Sequence, residues 1–449
     1  MFDRLQQDHA TAPKRIAVVG AGISGLSAAW LLSKRHEVVL FEAEDRLGGH
    51  SCTVQAPSPD GPVSVDTGFI VYNEPNYPNF TALLDHLGVA STAAHMSFAV
   101  SMNDGGFEYS SHGARGLFAQ KRNLASPRFW SMLLDLKRFH RTAAGDLEEL
   151  DRSLCSLGRY LEDRNYSAGF RDLHLLPQAA AIWSSTPQQM ADYPAAAFIR
   201  FYRNHRLLEV DMEPNWRTVA GGSVRYVEAL GADFQGQIRL GSPVSRVDRD
   251  RDGVTVHSRH GAERFDDVVL AVHSDQALKM LSEPSAEERA LLAPMAYGRN
   301  RVVLHRDRAL MPRREHAWAA WNYVGGAGSE IAGASVTYWM NLLQGLPGPD
   351  LFVTLNPDRE PDPALVLADR EFDHPIFNAA AMAAQRELGS LQGRQATWFC
   401  GAWFGSGFHE DGLQAGLAVA EAIGGVRRPW SVANESARIP LPTVEVAAA

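Results

Sequence analysis

The sequence predicts a two-domain α/β protein, with a Rossmann-like domain and a mixed α+β domain. Three observations support this fold. An apolar strand runs directly into a glycine-rich turn, a second strand ends in an acidic residue, and strand-like segments return after a long, mostly helical insertion. A chain of 449 residues also exceeds what one small core usually supports.

The first element is the apolar strand at 16–19, followed by Gly20, Gly22 and Gly25 in G-x-G-x-x-G spacing. Residues 16–33 carry no ionisable group and would just span a bilayer, but glycines this dense would weaken a membrane helix. In a strand, turn and helix the three glycines allow, in order, the tight turn, the approach of a pyrophosphate and close helix packing. The motif therefore predicts a dinucleotide site, with a tight buried turn in another α/β protein as the alternative.

The second strand, at 37–42, ends in Glu42, which lies 22 positions after Gly20. An acid at this distance is typical of a carboxylate that accepts hydrogen bonds from a ribose. The next elements in order are a helical region from about 75 to 208 and a glycine-opened helix at 219–230. Strand-like segments then follow at 244–247, 254–257 and 268–272.

This return of strands predicts a discontinuous nucleotide-binding domain. We expect that domain to comprise 13–75, 215–290 and 395–428, the substrate domain to comprise 76–214 and 291–394, and 429–449 to form a surface tail. The glycine-rich stretch 324–333 does not have the spacing of a second dinucleotide motif, which favours a loop there.

Composition limits the function classes. A net charge of -9 argues against general nucleic-acid binding, and 45% hydrophobic with 21% charged residues is an ordinary globular composition. The first twelve residues lack the pattern of a signal peptide, and the three cysteines are isolated and without metal-ligand spacing. We therefore expect a cytoplasmic protein without a metal site. Cys400 is either a reactive, flavin-linking thiol or a small core residue.

A strand, an acid and then R-x-G-G at Arg46, Gly48 and Gly49 resemble the FAD-containing amine oxidoreductases. The resemblance continues at Asp66-Thr67-Gly68, at the paired glycines 221–222 and at a C-terminal glycine-rich helix start. It implies an FAD domain of the glutathione-reductase and amine-oxidase type. The implied FAD contacts are Gly20, Gly22, Ile23, Ser24, Gly25, Glu42, Ala43, Arg46, Gly48, Gly49, His50, Asp66, Thr67, Gly68, Val247, Gly401, Ala402, Gly412, Leu413 and Gln414.

Longer motifs, among them "VDTGFIVYNEPNYPNF", "AAIWSSTPQQMADYP" and "GFHEDGLQAG", cover nearly the whole chain. They resemble the flavoproteins fused to, or encoded beside, cyclopropane fatty acid synthases. Bacterial desaturases of methyl-branched fatty acids on the route to furan fatty acids are the relatives this resemblance indicates. It implies a lipid or fatty acyl substrate and a lipid methyltransferase as a partner.

Two departures from the amine oxidases affect the expected chemistry. Those enzymes commonly hold a lysine that contacts the flavin through water, whereas this chain has no lysine after Lys279. Arginine cannot replace it as a proton acceptor because guanidinium stays charged. The family's R-x-G-G-R pattern also ends here in His50, which removes a fixed positive charge. Amine oxidation in its usual form is therefore not what the sequence predicts.

Dehydrogenation of a C–H bond needs a proton acceptor, and His409, just before the flavin-contacting helix, has a suitable unperturbed pKa. A structural histidine bonded to its surroundings is the alternative. Tyr72, Tyr338 and Asn341 are further candidates for the substrate face, with core packing as the alternative for the aromatic residues.

The segment 113–145 has seven basic residues and the single acid Asp135, and its apolar residues recur at helical spacing. Such a helix suits the surface of an anionic membrane, whereas a core helix with a solvated basic face is the alternative. Three functions remain open. They are a flavin-dependent desaturase of a modified acyl chain, an isomerase or reductase with the same flavin, and a non-catalytic flavoprotein partner of a lipid methyltransferase.

Overall fold

The computed structural model describes residues 12–153, 155–208, 216–325 and 335–440. In chain order its strands are β1 (Arg15–Val19), β2 (Glu37–Phe41), β3 (Thr53–Ala56), β4 (Val63–Asp66), β5 (Tyr72–Asn73), β6 (Ser91–Ala93), β7 (Phe98–Met102), β8 (Phe107–Ser110), β9 (Trp216–Val219), β10 (Gln237–Arg239), β11 (Val244–Asp250), β12 (Gly253–Ser258), β13 (Gly261–Phe265), β14 (Asp267–Leu270), β15 (Ala296–His305), β16 (Trp321–Gly325), β17 (Ser335–Trp339), β18 (Phe352–Leu355), β19 (Val366–Ile376) and β20 (Thr397–Phe399).

The helices in the described residues are α1 (Ile23–Leu32), α2 (Pro78–Leu87), α3 (Gly113–Leu117), α4 (Pro127–Thr142), α5 (Leu147–Ser153), α6 (Leu157–Asp163), α7 (Ala168–Phe170), α8 (Leu176–Trp183), α9 (Pro187–Asp192), α10 (Ala195–Asn204), α11 (Val224–Asp233), α12 (Ser274–Met280), α13 (Ala286–Leu292), α14 (Met340–Leu343), α15 (Ala379–Gln385) and α16 (His409–Ile423). None of them is long and apolar enough to cross a membrane.

A five-stranded parallel sheet in the order β10-β2-β1-β14-β20 forms the centre of the first part of the fold. Its strands come from residues 15–41, 237–270 and 397–399, far apart in the chain. The strands β11, β12 and β13 form a separate antiparallel sheet, in which β12 is central. The predicted α/β class with a Rossmann-like domain is confirmed.

Helix α1 explains the uncharged stretch at 16–33. All ten of its residues are buried, and it packs along α16 and against α11. Because both the helix and β1 before it are enclosed by protein, they carry apolar residues on every side. The stretch is therefore the interior of the nucleotide-binding unit and not an anchor.

The second part of the fold combines helices α3 to α10 with a seven-stranded sheet in the order β19-β15-β18-β17-β16-β7-β8. That sheet is antiparallel except for the parallel pair β16 and β7. Its apolar core is distinct from the core around the parallel sheet. Helix α2 lies in a stretch expected to belong to the substrate domain, yet Phe80, Leu83 and Leu84 pack into the core around the parallel sheet.

The segment 429–440, expected to be a surface tail, instead packs against the nucleotide-binding unit. The rings of Trp430 and Trp30 are stacked with centroids 6.0 Å apart, and Ile439 is buried in the same core. Arg438 donates to Asn76, which precedes α2. Aromatic and apolar residues among the prolines therefore give this segment a docking face of its own. Residues 441–449, and all but the first two of the glycine-rich stretch 324–333, lie outside the described residues.

Candidate functional site

One cavity of about 1310 Å³ begins where the parallel strands end and continues towards the seven-stranded sheet. At the first end it is lined by the turn after β1, by residues 41–44 after β2 and by residues 271–273 after β14. Ligands of open parallel sheets bind at these carboxyl ends. We call the opposite, apolar end the chamber; its lining includes Met96, Phe98, Ile182, Phe201, Trp321 and Tyr338.

The glycine turn has the geometry that its spacing predicts. Gly20 has a φ of +99°, and a Cβ atom on it would lie 2.6 Å from the carbonyl oxygen of Ala271. A Cβ on Gly25 would lie 1.9 Å from the carbonyl oxygen of Gly20. Gly22 differs, because it lines the cavity and a Cβ on it would meet no atom within 4 Å. Two glycines are thus required by packing and the third leaves open space at the start of α1.

Glu42 lies at the end of β2 and lines the cavity. Its carboxylate accepts hydrogen bonds from the backbone N–H of Ala21 at 2.6 Å and of Glu44 at 2.9 Å. The acid is therefore held beside the glycine turn, where the motif predicts it. Ala43, Ile23 and Ser24 also line the cavity.

Arg46 does not line the cavity. Its guanidinium donates to the carbonyl oxygen of Gly49 at 2.9 Å and pairs with Glu44 at 2.8 Å. Gly48 and Gly49 both have positive φ, and a Cβ on Gly49 would lie 3.0 Å from the Cα of Gly22. The arginine thus braces the R-x-G-G turn, and Gly49 is the member of that motif that lines the cavity beside the glycine turn.

Asp66 is completely buried and does not itself line the cavity. Its carboxylate accepts from Thr53 at 2.6 Å, from the backbone and side chain of Ser223, and from Gln344 at 2.8 Å. Burial raises the pKa of Asp66 to about 6, although these donors oppose the shift. Asp66 therefore holds the loop that opens α11. Thr67 donates to a backbone carbonyl, and only Gly68 of this trio lines the cavity.

His409 starts α16, lines the cavity and is fixed on two sides. Its ring stacks on Phe69 with centroids 3.8 Å apart and planes 8° apart. Its Nε2 shares a 2.8 Å hydrogen bond with the hydroxyl of Tyr226, which shares another of 2.5 Å with Ser51. Burial lowers the pKa of His409 to about 3. The imidazole is therefore neutral and held in one orientation at the edge of the cavity.

Nine of the twenty predicted cofactor contacts do not line the cavity; besides Gly25, Arg46, Gly48, Asp66 and Thr67 they include four residues of β11 and α16. Val247 is buried in the core, and Val244, at the start of β11, lines the cavity instead. A Cβ on Gly412 would lie 2.8 Å from the Oγ atom of Ser24, so this glycine allows α16 to pack on α1. The remaining two are Leu413, which is buried in the core, and Gln414, which donates to Glu410. Gly401 and Ala402, just after β20, do line the cavity.

The structure separates the predicted substrate residues. Tyr338 lines the chamber, edge-on to Trp321 with ring centroids 4.9 Å apart. Tyr72 is buried beside Phe80 in the core around the parallel sheet and does not line the cavity. The side chain of Asn341 binds backbone groups of residues 346, 349 and 351, so it shapes a loop. Core packing and loop geometry account for these two residues.

Sequence reasoning missed a cluster of three histidines. His50, His273 and His374 all line the cavity, and the ring centroid of His50 is 5.4 Å from that of His374 and 6.4 Å from that of His273. Burial and the neighbouring imidazoles lower the pKa of His50 to about 3. The imidazole of His50 is therefore neutral, so this position carries no positive charge, as the sequence predicts. The position of His273, just after β14, was the available signal.

Other reactive groups can be placed in the same way. Cys400 is fully buried, burial raises the pKa of its thiol, and it does not line the cavity, so the core interpretation fits. No lysine lines the described part of the cavity. The described residues also contain no cluster of histidine, cysteine and acidic side chains that could hold a metal ion.

Comparisons with known proteins agree with this geometry. Residues 23–330 match the family model described as flavin containing amine oxidoreductase. A Mycobacterium tuberculosis protein named as a flavin-containing monoamine oxidase, AofH, is 29% identical over 273 residues, which are 57% of this chain and 56% of that relative. The chain thus spans little more than half the length of this curated relative.

Solved structures with the same fold include cyclohexylamine oxidase from Brevibacterium oxydans, with a TM-score of 0.64, 19% identity and coverage of 92% of this chain and 99% of that one. A fatty acid isomerase of P. acnes that produces CLA has a TM-score of 0.63 and 16% identity, covering 91% and 98% of the two chains. Because the family model spans more than half of the sequence, the chain belongs to the flavin containing amine oxidoreductase family.

Proposed function

We propose that the chain is an FAD-dependent oxidoreductase that desaturates a modified, methyl-branched fatty acyl chain. The observation that carries this proposal is the continuity of the cavity. One end has the elements of a dinucleotide site, and the other is a chamber lined largely by apolar and aromatic side chains. A cofactor and a hydrocarbon chain would therefore meet inside the protein.

The residues present fit FAD. Gly22 leaves open space at the start of α1, where the first N–H groups of the helix lack a side-chain cap. Glu42 offers a carboxylate beside that turn, and Val244 lies where the second sheet meets the cavity. FAD, when bound, supplies the acceptor for hydride, and the family's flavin chemistry supports that assignment.

The chamber supports a hydrocarbon substrate better than an alkylammonium ion. Its apolar lining offers contact with carbon along its length, and each CH₂ buried there contributes about 0.8 kcal/mol. The charged side chains that line the cavity among the described residues are few: Glu42 and Glu44 just after β2, Asp373 on β19, and Arg206. A fatty acid isomerase also uses this fold, which shows that the fold itself accommodates an acyl substrate in that protein.

The proton lost in desaturation needs an acceptor, and His409 is the candidate the geometry favours. It is neutral, it lines the cavity, and Tyr226 fixes its orientation through Nε2. The low pKa means that an imidazolium would be costly in the resting protein, so the proton must arrive together with developing negative charge nearby. A role confined to packing on Phe69 remains the competing interpretation.

Two other functions are compatible with the same site. An isomerase would shift a double bond without net oxidation, and the solved fatty acid isomerase with this fold favours keeping it as the second candidate. A non-catalytic flavoprotein that acts as partner of a lipid methyltransferase is the third; it rests only on the resemblance to fused proteins.

Anaerobic mixing of the purified, FAD-loaded protein with a methyl-branched phospholipid separates these functions. Desaturation predicts loss of the oxidised flavin absorbance and one unsaturated product per flavin. An isomerised product without lasting loss of absorbance would favour the isomerase, and no change in either lipid or flavin would contradict both enzymes. The unbranched phospholipid is the matched control for substrate choice, and His409→Gln tests the proton acceptor: product formation at the parent rate would exclude that role.

A further inference from the structure

We infer that the outer face of α4, together with Leu124 just before it, docks on an anionic lipid bilayer. This face comprises Leu124, Trp130, Leu134, Lys137 and Arg141, and we call it the membrane face. The inference adds a membrane partner to the proposed function. Docking itself does not depend on that function; only its purpose, the delivery of an acyl chain, rests on it.

The membrane face exposes apolar side chains that the fold does not use. Leu124 is 52% exposed, Trp130 is 43% exposed and Leu134 is 68% exposed. Among the described residues, Leu240 is the only other large apolar side chain of this kind, and it lies alone in the turn after β10. Single exposed leucines are common, but three large apolar residues on one short segment indicate an interaction surface.

Helical spacing places these residues together and apart from the core. Trp130, Leu134, Lys137 and Arg141 follow one another at intervals of four, three and four residues, so they share one side of α4. The buried side is supplied separately by Phe129, Met132 and Phe139, which are fully buried. The indole N–H of Trp130 also donates to the carbonyl oxygen of Leu124 at 2.9 Å. The side of α4 that packs into the protein is therefore complete without the exposed apolar residues.

The charges around this face select the partner. Lys121, Lys137 and Arg141 are exposed and make no ion pair with a described residue. The basic segment predicted from the sequence also includes Arg138, but Arg138 pairs with Asp135 at 2.9 Å and lies 4.0 Å over the ring of Tyr166. It therefore stabilises the local fold and is not available for lipid.

A bilayer fits this face better than a second copy of the chain does. Segment 113–145 carries seven basic residues and one acid, whereas the chain as a whole has a net charge of -9. Two copies of a basic face would repel each other in a symmetric dimer. An anionic bilayer offers both negative headgroups for the basic residues and hydrocarbon for the tryptophan and leucines.

The segment also starts at the rim of the cavity. Ser111 and the exposed His95 line the cavity, and the ring of His112 lies 5.0 Å from that of His95. Helix α3 begins at the next residue and leads to α4. A bilayer held at the membrane face would therefore contact a segment that is continuous with the cavity's rim.

Sedimentation with vesicles tests the inference without any turnover. The FAD-loaded protein is mixed with vesicles of saturated, unbranched phosphatidylcholine, alone or with phosphatidylglycerol. We expect binding only to the anionic vesicles, weaker at high salt. The variant Lys137→Gln/Arg141→Gln should partition about twenty-five-fold less, a factor of about five for each charge. Leu124→Gln/Leu134→Gln should lower binding at both salt concentrations by about tenfold or more.

The matched controls are Arg251→Gln/Arg386→Gln, two exposed arginines elsewhere, and Leu240→Gln; both should bind like the parent. Unchanged FAD content shows that each variant is folded. Parental binding by the charge variant would overturn the inference. The inference would also be overturned if the parent were a dimer and a membrane-face variant a monomer, because the face would then be a contact between copies of the chain. These vesicles contain no branched chain, so a failure of desaturation with intact binding would count against the proposed function alone.

Discussion

The glycine turn allows a prediction in which two neighbouring glycines fail for different reasons. In Gly25→Ala the new Cβ lies 1.9 Å from the carbonyl oxygen of Gly20 and 2.9 Å from the Cβ of Ala271. Both partners belong to the backbone or core, so the turn itself must move. Such overpacking costs ~1–3 kcal/mol or more, and the better helix propensity of alanine returns at most ~1 kcal/mol. We expect the free energy of unfolding to fall by about 2 kcal/mol, with loss of FAD.

In Gly22→Ala the methyl group meets open space in the cavity, so the protein without cofactor should fold nearly as the parent does. The cost at this helix N-cap position is ~0.5 kcal/mol. FAD affinity should nevertheless fall about tenfold or more, because the methyl group occupies space that the pyrophosphate needs. Gly145→Ala is the control, since it also meets open space but lies away from the cavity.

Urea unfolding of each protein without cofactor measures the first effect, and the ratio of flavin to protein absorbance after gel filtration measures the second. A Gly25→Ala variant with parental stability and flavin content would refute the packing argument. A Gly22→Ala variant that is as unstable as Gly25→Ala would refute the distinction between the two glycines.

Three further predictions follow from the residues around the cavity. Glu42→Ala should weaken FAD binding by ~1.5–3 kcal/mol, measured by flavin fluorescence titration, whereas Glu37→Ala on the same strand should not. Because the pKa of Asp66 is raised to about 6 in the folded state, its contribution to stability is complete below pH ~4 and is lost as the pH rises through about 6. Asp66→Asn should therefore remove up to ~3 kcal/mol of the change in the free energy of unfolding between pH ~4 and pH ~7, measured by urea unfolding. An unchanged pH profile would contradict the assignment. Tyr226→Phe removes the bonds to both His409 and Ser51 and should lower the free energy of unfolding by ~1–2 kcal/mol; parental stability would show that neither bond stabilises the fold.

The sequence predicted those parts of the site that are local in the chain. The turn from Gly20 to Gly25 and the acid Glu42 follow from spacing alone, because the strand, turn and helix are contiguous. Val247 was predicted in place of Val244 because both are buried valines of one strand, and only the tertiary fold shows that the start of β11 reaches the cavity. The cluster of His50, His273 and His374 joins three distant segments, and only the tertiary fold brings them together.

The docking of residues 429–440 was hidden for a related reason. Prolines and the absence of periodicity are typical of a surface segment, whereas the stacking of Trp430 on Trp30 depends on a partner far earlier in the chain. The choice between catalytic and packing roles for aromatic residues was equally beyond the sequence. Tyr338 and Tyr72 have the same chemistry, and only the position of the cavity distinguishes them.

The discontinuous parallel sheet has a consequence for synthesis of the chain on the ribosome. Strand β20, at residues 397–399, completes the edge beside β14, and the cavity-lining residues 401–409 follow it. Until these residues emerge, β14 presents an open, apolar edge and the nucleotide cavity has no far wall. The intervening helical part has its own core and can form earlier. Cofactor capture therefore has to wait until residues 397–409 have emerged, and a product that stops before them would expose the apolar edge of β14.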